Sequence, residues 1–198
     1  MDRPLLVLAS GSPRRRELLD RAGVAFEVLP AHIPEVERPG EPPAELARRL
    51  AGEKALAVSR RLGEHPRRWV LGADTVVALD GAVLGKPDDA QHALAILERL
   101  SGRTHEVVTG VAIAVTDDAE LLTAVVTTAV TMRRSPHDVL AAYAASEEPR
   151  DKAGAYALQG EGRRFVEQVE GSESNVIGLP VDETLALLAA AGFPGPAP

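Results

Sequence analysis

Apolar positions along this chain fall into short unbroken runs and longer stretches of helical spacing, and the two kinds alternate. Leu5 to Ala9 is an unbroken apolar run and predicts a buried strand. Ser10, Gly11, Ser12 and Pro13 interrupt it, and a charged amphipathic segment then predicts a helix closed by Gly23, with Phe26 to Leu29 as a second strand. Pro30 to Pro43 is a Pro-rich connection carrying Glu35; it is too long for a tight turn and reads as a functional loop. From Ala44 to Leu62, Leu46, Leu50, Ala57 and Val58 recur near helical spacing among Arg, Glu and Lys, which predicts a long amphipathic helix.

Val70 to Ala73 and Val76 to Leu79 are β-rich, Asp80-Gly81 is a hairpin turn signal, and Ala82 to Leu84 returns. Asp89 to Leu100 predicts a helix with Ala93, Leu94, Ile96 and Leu97 inward, stopped by Ser101-Gly102. Two long β-rich runs, Val107 to Thr116 and Leu121 to Met132, flank Asp117-Asp118-Ala119-Glu120 and predict an antiparallel hairpin. Pro136 to Ala145 reads as a short helix, Glu147 to Gly162 as a polar loop, Val166 to Val169 as a short strand and Pro180 to Ala191 as a closing helix. The order predicts an α/β fold: a mixed twisted sheet with flanking helices, as one domain over 1–198 with a frayed tail at 193–198. Ligands of such sheets collect at strand ends, where the Ser10–Arg16 junction lies.

Composition narrows the function. The formal net charge of -7 and 3% aromatic residues argue against a nucleic-acid binder, which needs a basic face and stacking platforms. With no cysteine, disulfides, thiolate metal sites and cysteine nucleophiles drop out. The apolar run near the start is too short for a signal peptide, and no stretch approaches the roughly 20 apolar residues of a membrane helix. We therefore expect a soluble cytoplasmic protein with no membrane partner.

The first junction suits phosphate. Ser12 is an N-cap candidate and Pro13 fits the first helical position, so the unpaired N–H groups of that turn can meet an anion. Arg14 and Arg15 are misplaced against the helix dipole unless a polyphosphate accompanies them; a solvated basic turn is the alternative. Asp74, in Gly72-Ala73-Asp74-Thr75-Val76-Val77, puts a carboxylate inside an apolar strand, where it needs a charged partner or a metal. Its plainer reading is a strand break, with Gly72 marking a bulge. Lys86, between Gly85 and Pro87, could meet phosphate or simply be solvated. Neither a P-loop nor a GxGxxG fingerprint is present. The histidines at 32, 65, 92, 105 and 137 have no metal-ligand spacing, so a metal would be a hard cation held by oxygen. Small residues in Asp151–Gly160 permit close approach of a ligand, and Gln159 can both donate to and accept from a planar imide edge.

Taken in order, Ala9–Arg15, Gly72–Val77, Gly85-Lys86-Pro87, Ser101–His105, Asp151–Tyr156 and Gly178-Leu179-Pro180 resemble the Maf-type nucleoside triphosphate pyrophosphatases, over nearly the whole chain. The resemblance implies a fold related to the inosine triphosphate pyrophosphatases, with a cleft between two lobes. It also implies hydrolysis of a nucleoside triphosphate between its α- and β-phosphates, Asp74 as proton acceptor, a divalent cation (Mg²⁺ or Mn²⁺) and a homodimer. On this basis Ser12, Arg15, Lys54 and Lys86 are assigned to phosphate, and Glu35 with Asp74 to the metal. Arg14, Thr75 and Gln159 match the positions that divide the family by substrate and resemble its dTTP and UTP branch. Two positions depart from the family pattern: Pro34 stands where an Asp usually precedes the Glu, and Glu173 where an aromatic residue is common. The competing reading is a nucleotide-binding regulator of septum formation with little turnover.

Overall fold

The computed structural model describes residues 5–63, 67–116, 118 and 120–195; His65 and the last three residues of the tail lie outside them. Seven strands form one mixed sheet: β1 (Leu6–Leu8), β2 (Phe26–Val28), β3 (Trp69–Leu79), β4 (Ala82–Leu84), β5 (Thr104–Val115), β6 (Leu121–Met132) and β7 (Val166–Glu170). The order is β2-β1-β3-β5-β6-β7, with β4 also paired to β3. β1 runs parallel to β2 and β3, while the β3–β4, β3–β5, β5–β6 and β6–β7 pairs are antiparallel. The expected mixed α/β sheet and its hairpin are what the chain forms.

The helices are α1 (Pro13–Arg21), α2 (Pro43–Leu62), α3 (Ala90–Leu100), α4 (His137–Ala144), α5 (Glu173–Ile177) and α6 (Val181–Ala190). α1 and α6 cover one face, burying Leu18, Leu19 and Leu188 against Leu6, Leu8, Leu71 and Ile113. α2 covers the other, with Ala51, Ala55 and Val58 on Val7, Val70 and Ala112. A separate cluster joins Ala93, Ile96 and Leu97 of α3 with Leu140 and Tyr143 of α4, and with Val77, Val107 and Phe165.

Several local expectations change. The two β-rich runs around Asp74 are one continuous strand, and Gly72 pairs in register with Ala112, so there is no bulge. Glycine is required there for another reason: a Cβ at 72 would lie 2.1 Å from the Ala51 carbonyl oxygen, and one at 110 would lie 2.2 Å from that of Ala47. The backbone of α2 rests directly on β3 and β5 at these two points. The polar stretch after α4 is not featureless but holds 3-10 turns at Glu148–Asp151, Ala153–Ala155 and Glu161–Phe165. α5 was not expected; it is five residues long and capped by Ser172, whose hydroxyl accepts from the Asn175 N–H at 3.2 Å. Phe193 packs edge-on against Trp69, ring centroids 5.5 Å apart, so the tail is anchored at its first residue.

One property of the sheet positions the site. Along a single edge of β3, β1 pairs with residues 69–71 and β4 with residues 77–79. Between them, residues 72–76 have no strand on that edge, although all of them pair with β5 on the other. Asp74 and Thr75 therefore sit at a split in the sheet, open on one side and rigidly held on the other.

Candidate active site

At that split lies a cleft of about 650 Å³. The β1–α1 junction, the Glu35 loop, α2, the centre of β3, Lys86 and the 151–159 segment all contribute to its wall, so every residue assigned from the sequence to catalysis, phosphate, metal or base lines one cavity: Ser12, Arg14, Arg15, Glu35, Lys54, Asp74, Thr75, Lys86 and Gln159.

Strand alternation sends Asp74 and Thr75 to opposite faces. Asp74, opposite Gly110 in the register, faces α2. Because Gly110 and Gly72 let α2 lie close, Lys54 reaches across: its Nζ donates to Asp74 Oδ1 at 2.6 Å and pairs with Glu35 Oε1 at 2.5 Å. The Lys54 and Asp74 side chains are each 9% exposed, whereas Glu35 is 46% exposed and reaches in from its loop. The charged partner that Asp74 requires is therefore Lys54. Burial alone would raise the Glu35 carboxyl, but the hydrogen bond and charge of Lys54, with the charges of Lys86 and Arg15, outweigh it and leave that carboxyl below its usual value.

Thr75 faces the other side, where Arg15 is held. Arg15 Nε donates to the Gly178 carbonyl at 2.8 Å, Nη1 to Ser10 Oγ at 3.1 Å and Nη2 to Thr75 Oγ1 at 3.1 Å. Thr75 Oγ1 also lies 3.0 Å from Thr109 Oγ1. Burial lowers the Arg15 pKa from its ordinary value, and the charges of Asp74 and Glu35 oppose that shift. This network supplies a protein reason for a basic residue in the first helical turn, and still leaves N–H donors on both Nη atoms. Ser12 occupies the N-cap position, but its side chain makes no capping bond; instead its N–H donates to Ser10 Oγ at 3.3 Å.

Across the mouth, Arg14 Nη1 meets Asp151 Oδ2 at 3.4 Å, and Asp151 is also paired with Lys152 Nζ at 2.5 Å. Lys86 and Gln159 line the cleft with exposed side chains.

Some residues that shape the site carried no signal of their own. Gly178, 163 residues away, anchors Arg15 through its carbonyl, and Ser10 does so from within the same junction. Arg49, one of many arginines, fixes the Glu35 loop: its Nε and Nη2 bind the Glu41 carboxylate, each at 2.6 Å, and Nη2 also donates to the Val36 carbonyl at 2.9 Å. Hydrogen bonding to Arg49 pulls the Glu41 carboxyl down to about 2.

The model of the family described as Maf-like protein matches residues 5–191. The chain belongs to the Maf-like family. Among its relatives, the dTTP/UTP pyrophosphatase of Myxococcus xanthus is 54% identical over 195 residues, covering 98% of this chain and 96% of the relative. The dTTP/UTP pyrophosphatase of Escherichia coli K12 is 50% identical over 184 residues, covering 92% and 91%. That of Geobacter sulfurreducens is 45% identical over 185 residues, covering 93% and 95%. All of the residues that line the cleft and form the sheet split lie within the matched span, 5–191.

Proposed function

We propose that this chain is a nucleoside triphosphate pyrophosphatase that hydrolyses dTTP and UTP to the nucleoside monophosphate and pyrophosphate, with Asp74 as proton acceptor. The observation that carries the reading is the cluster at the sheet split, where a buried carboxylate and an ammonium sit in a cleft that Arg14, Arg15, Lys86, Ser10 and Ser12 also line. Relatives named dTTP/UTP pyrophosphatase at about half identity support the same reaction and substrates.

The triphosphate is assigned to the α1 N-terminus, the free Nη donors of Arg15, and Lys86. These groups neutralise its charge and offset the build-up of charge on the leaving pyrophosphate. Asp74 accepts the proton of the water that attacks the α–β anhydride, and the strand that carries it is held by β5, which pairs with its residues 69–78. Lys54, held between Asp74 and Glu35, is positioned to pass to a phosphate oxygen when the substrate enters. Thr75, Arg14 and Gln159 are assigned to base recognition, with the Gln159 amide accepting from the imide N–H of thymine or uracil and donating to a neighbouring carbonyl.

A divalent cation fits these residues. Among the described residues no group of three or more His, Cys, Asp or Glu side chains is arranged around one point. Two carboxylates, Glu35 and Asp74, do converge on a single cation, the Lys54 ammonium. A pair of carboxylates completed by substrate phosphates is the donor set that Mg²⁺ or Mn²⁺ takes in such enzymes. When bound, the cation would draw charge from the phosphates and make the attacking water more acidic.

The reading includes a homodimer in the cytoplasm, checked by sedimentation of the purified protein and by cell fractionation. The substrate assignment is checked by incubating the protein with Mg²⁺ or Mn²⁺ and dTTP, UTP, CTP, GTP or 7-methyl-GTP. Monophosphate and pyrophosphate should form from dTTP and UTP; turnover of a purine triphosphate alone would remove the base assignment.

A further inference from the structure

Behind the cleft wall that carries Gln159, the Glu148 carboxylate is used entirely on the protein itself. Oε1 accepts from Tyr143 Oη at 2.9 Å and from the Gly162 N–H at 3.0 Å, and Oε2 accepts from the Glu161 N–H at 3.0 Å. Its own backbone carbonyl accepts from Lys152 Nζ at 2.7 Å. A carboxylate can accept from Tyr143 Oη and the two backbone N–H groups at once, whereas an amide of the same shape would turn an NH₂ towards at least one of them.

The adjoining backbone is shaped to this carboxylate. Gly160 has φ of +136°, a conformation other residues rarely adopt, and a Cβ there would lie 2.6 Å from Glu148 Oε2. At Gly162 a Cβ would lie 2.6 Å from Tyr143 Oη. The glycines on either side of Glu161 thus let the chain fold down onto Glu148, and Gln159 is the residue immediately before this clamp. Burial tends to raise the Glu148 carboxyl, but the N–H of Gly162, the Tyr143 hydroxyl, the N–H of Glu161 and the charge of Lys152 outweigh it and keep it below its ordinary value.

We propose that Glu148 is a positioning residue for base selection: its carboxylate sets the backbone that presents Gln159 to the base. This rests on the reading of Gln159 as the base-contacting residue. Glu148 does not line the cleft and touches no reacting atom. Its loss therefore bears on which base is accepted and leaves the phosphate groups alone.

The test is a double-mutant cycle with Glu148→Gln, Gln159→Ala and both together, reading kcat and KM for dTTP and for GTP, with Tm recorded for each. Gln159→Ala and Glu148→Gln should each lower kcat/KM for dTTP by about tenfold, chiefly through KM, and shrink the dTTP-to-GTP preference. The double variant should be no worse than the more damaged single one. Tyr143→Phe removes a single donor, and should shift the preference in the same direction by a smaller factor, which keeps the test open if Glu148→Gln does not fold. Losses that multiply, or a Glu148→Gln defect equal for dTTP and GTP, would overturn the positioning role and leave Gln159 in place. A Gln159→Ala variant with unchanged preference would overturn the Gln159 reading, and the role of Glu148 with it.

Discussion

Asp74 and Lys54 meet at 2.6 Å across the sheet–helix interface because Gly72 and Gly110 allow the α2 backbone to rest on β3 and β5. The pair is nearly buried on both sides, so its chemistry depends on how closely the helix lies.

Gly72→Ala and Gly110→Ala should both be strongly destabilising. The added Cβ would overlap a helix carbonyl oxygen, and neither the helix nor a paired central strand can yield without disturbing its hydrogen bonds. We expect a loss of about 3 kcal/mol or more in denaturant unfolding. What remains folded should turn over substrate poorly, because a lifted α2 carries Lys54 away from Asp74. Wild-type stability and activity in either variant would show that the close approach is not needed.

Gln159→Glu should abolish the preference for pyrimidines. A carboxylate can accept from the imide N–H but cannot donate to the neighbouring carbonyl, so kcat/KM for dTTP and UTP should drop by about tenfold or more. Competition assays between dTTP and GTP measure this directly, and an unchanged ratio would remove Gln159 from base reading.

His105 should make the protein acid-sensitive. It is 2% exposed, its Nε2 lies 2.8 Å from Tyr156 Oη, and burial pushes its pKa down to about 4 from the ordinary 6.5. The unfolded chain therefore binds the proton first as pH falls. The stability contributed by neutral His105 is complete above pH 6.5 and lost progressively towards pH 4, about 2 kcal/mol of it by pH 5. Urea unfolding at pH 7 and pH 5 should show this slope in the wild type and its reduction in His105→Gln; equal slopes would place the acid sensitivity elsewhere.

Arg49→Ala should raise KM for the triphosphate several-fold with a smaller effect on kcat. Arg49 ties Glu41 and the Val36 carbonyl to α2 and so holds the loop that brings Glu35 to Lys54. An unchanged KM would show that the loop is held without it.

Much of this arrangement was legible in the sequence, and what escaped did so for physical reasons. Hydrophobic runs located the strands because a sheet covered on both faces makes apolar residues continuous, as in Leu6–Leu8 and Trp69–Leu79. Asp74 stood out for the same reason, as the carboxylate in such a run. The role of Gly72 was missed because a bulge and a close helix contact both select glycine, and only the register with Ala112 separates them. α5 escaped because five residues are too few to show a period, and Ser172 as its cap resembles any turn serine. The internal partners of Arg15 escaped because Thr75 and Gly178 lie 60 and 163 residues away and only the fold brings them to it.

The central claim, that Asp74 accepts the proton in hydrolysis of the α–β anhydride, is tested most directly by comparing Asp74→Asn with the wild type on dTTP. Pyrophosphate release, nucleotide binding and Tm are read on the same preparations. The substitution should lower kcat by about 10²–10⁴ while the folded variant still binds nucleotide. Turnover near the wild-type rate by a normally folded Asp74→Asn protein would contradict it.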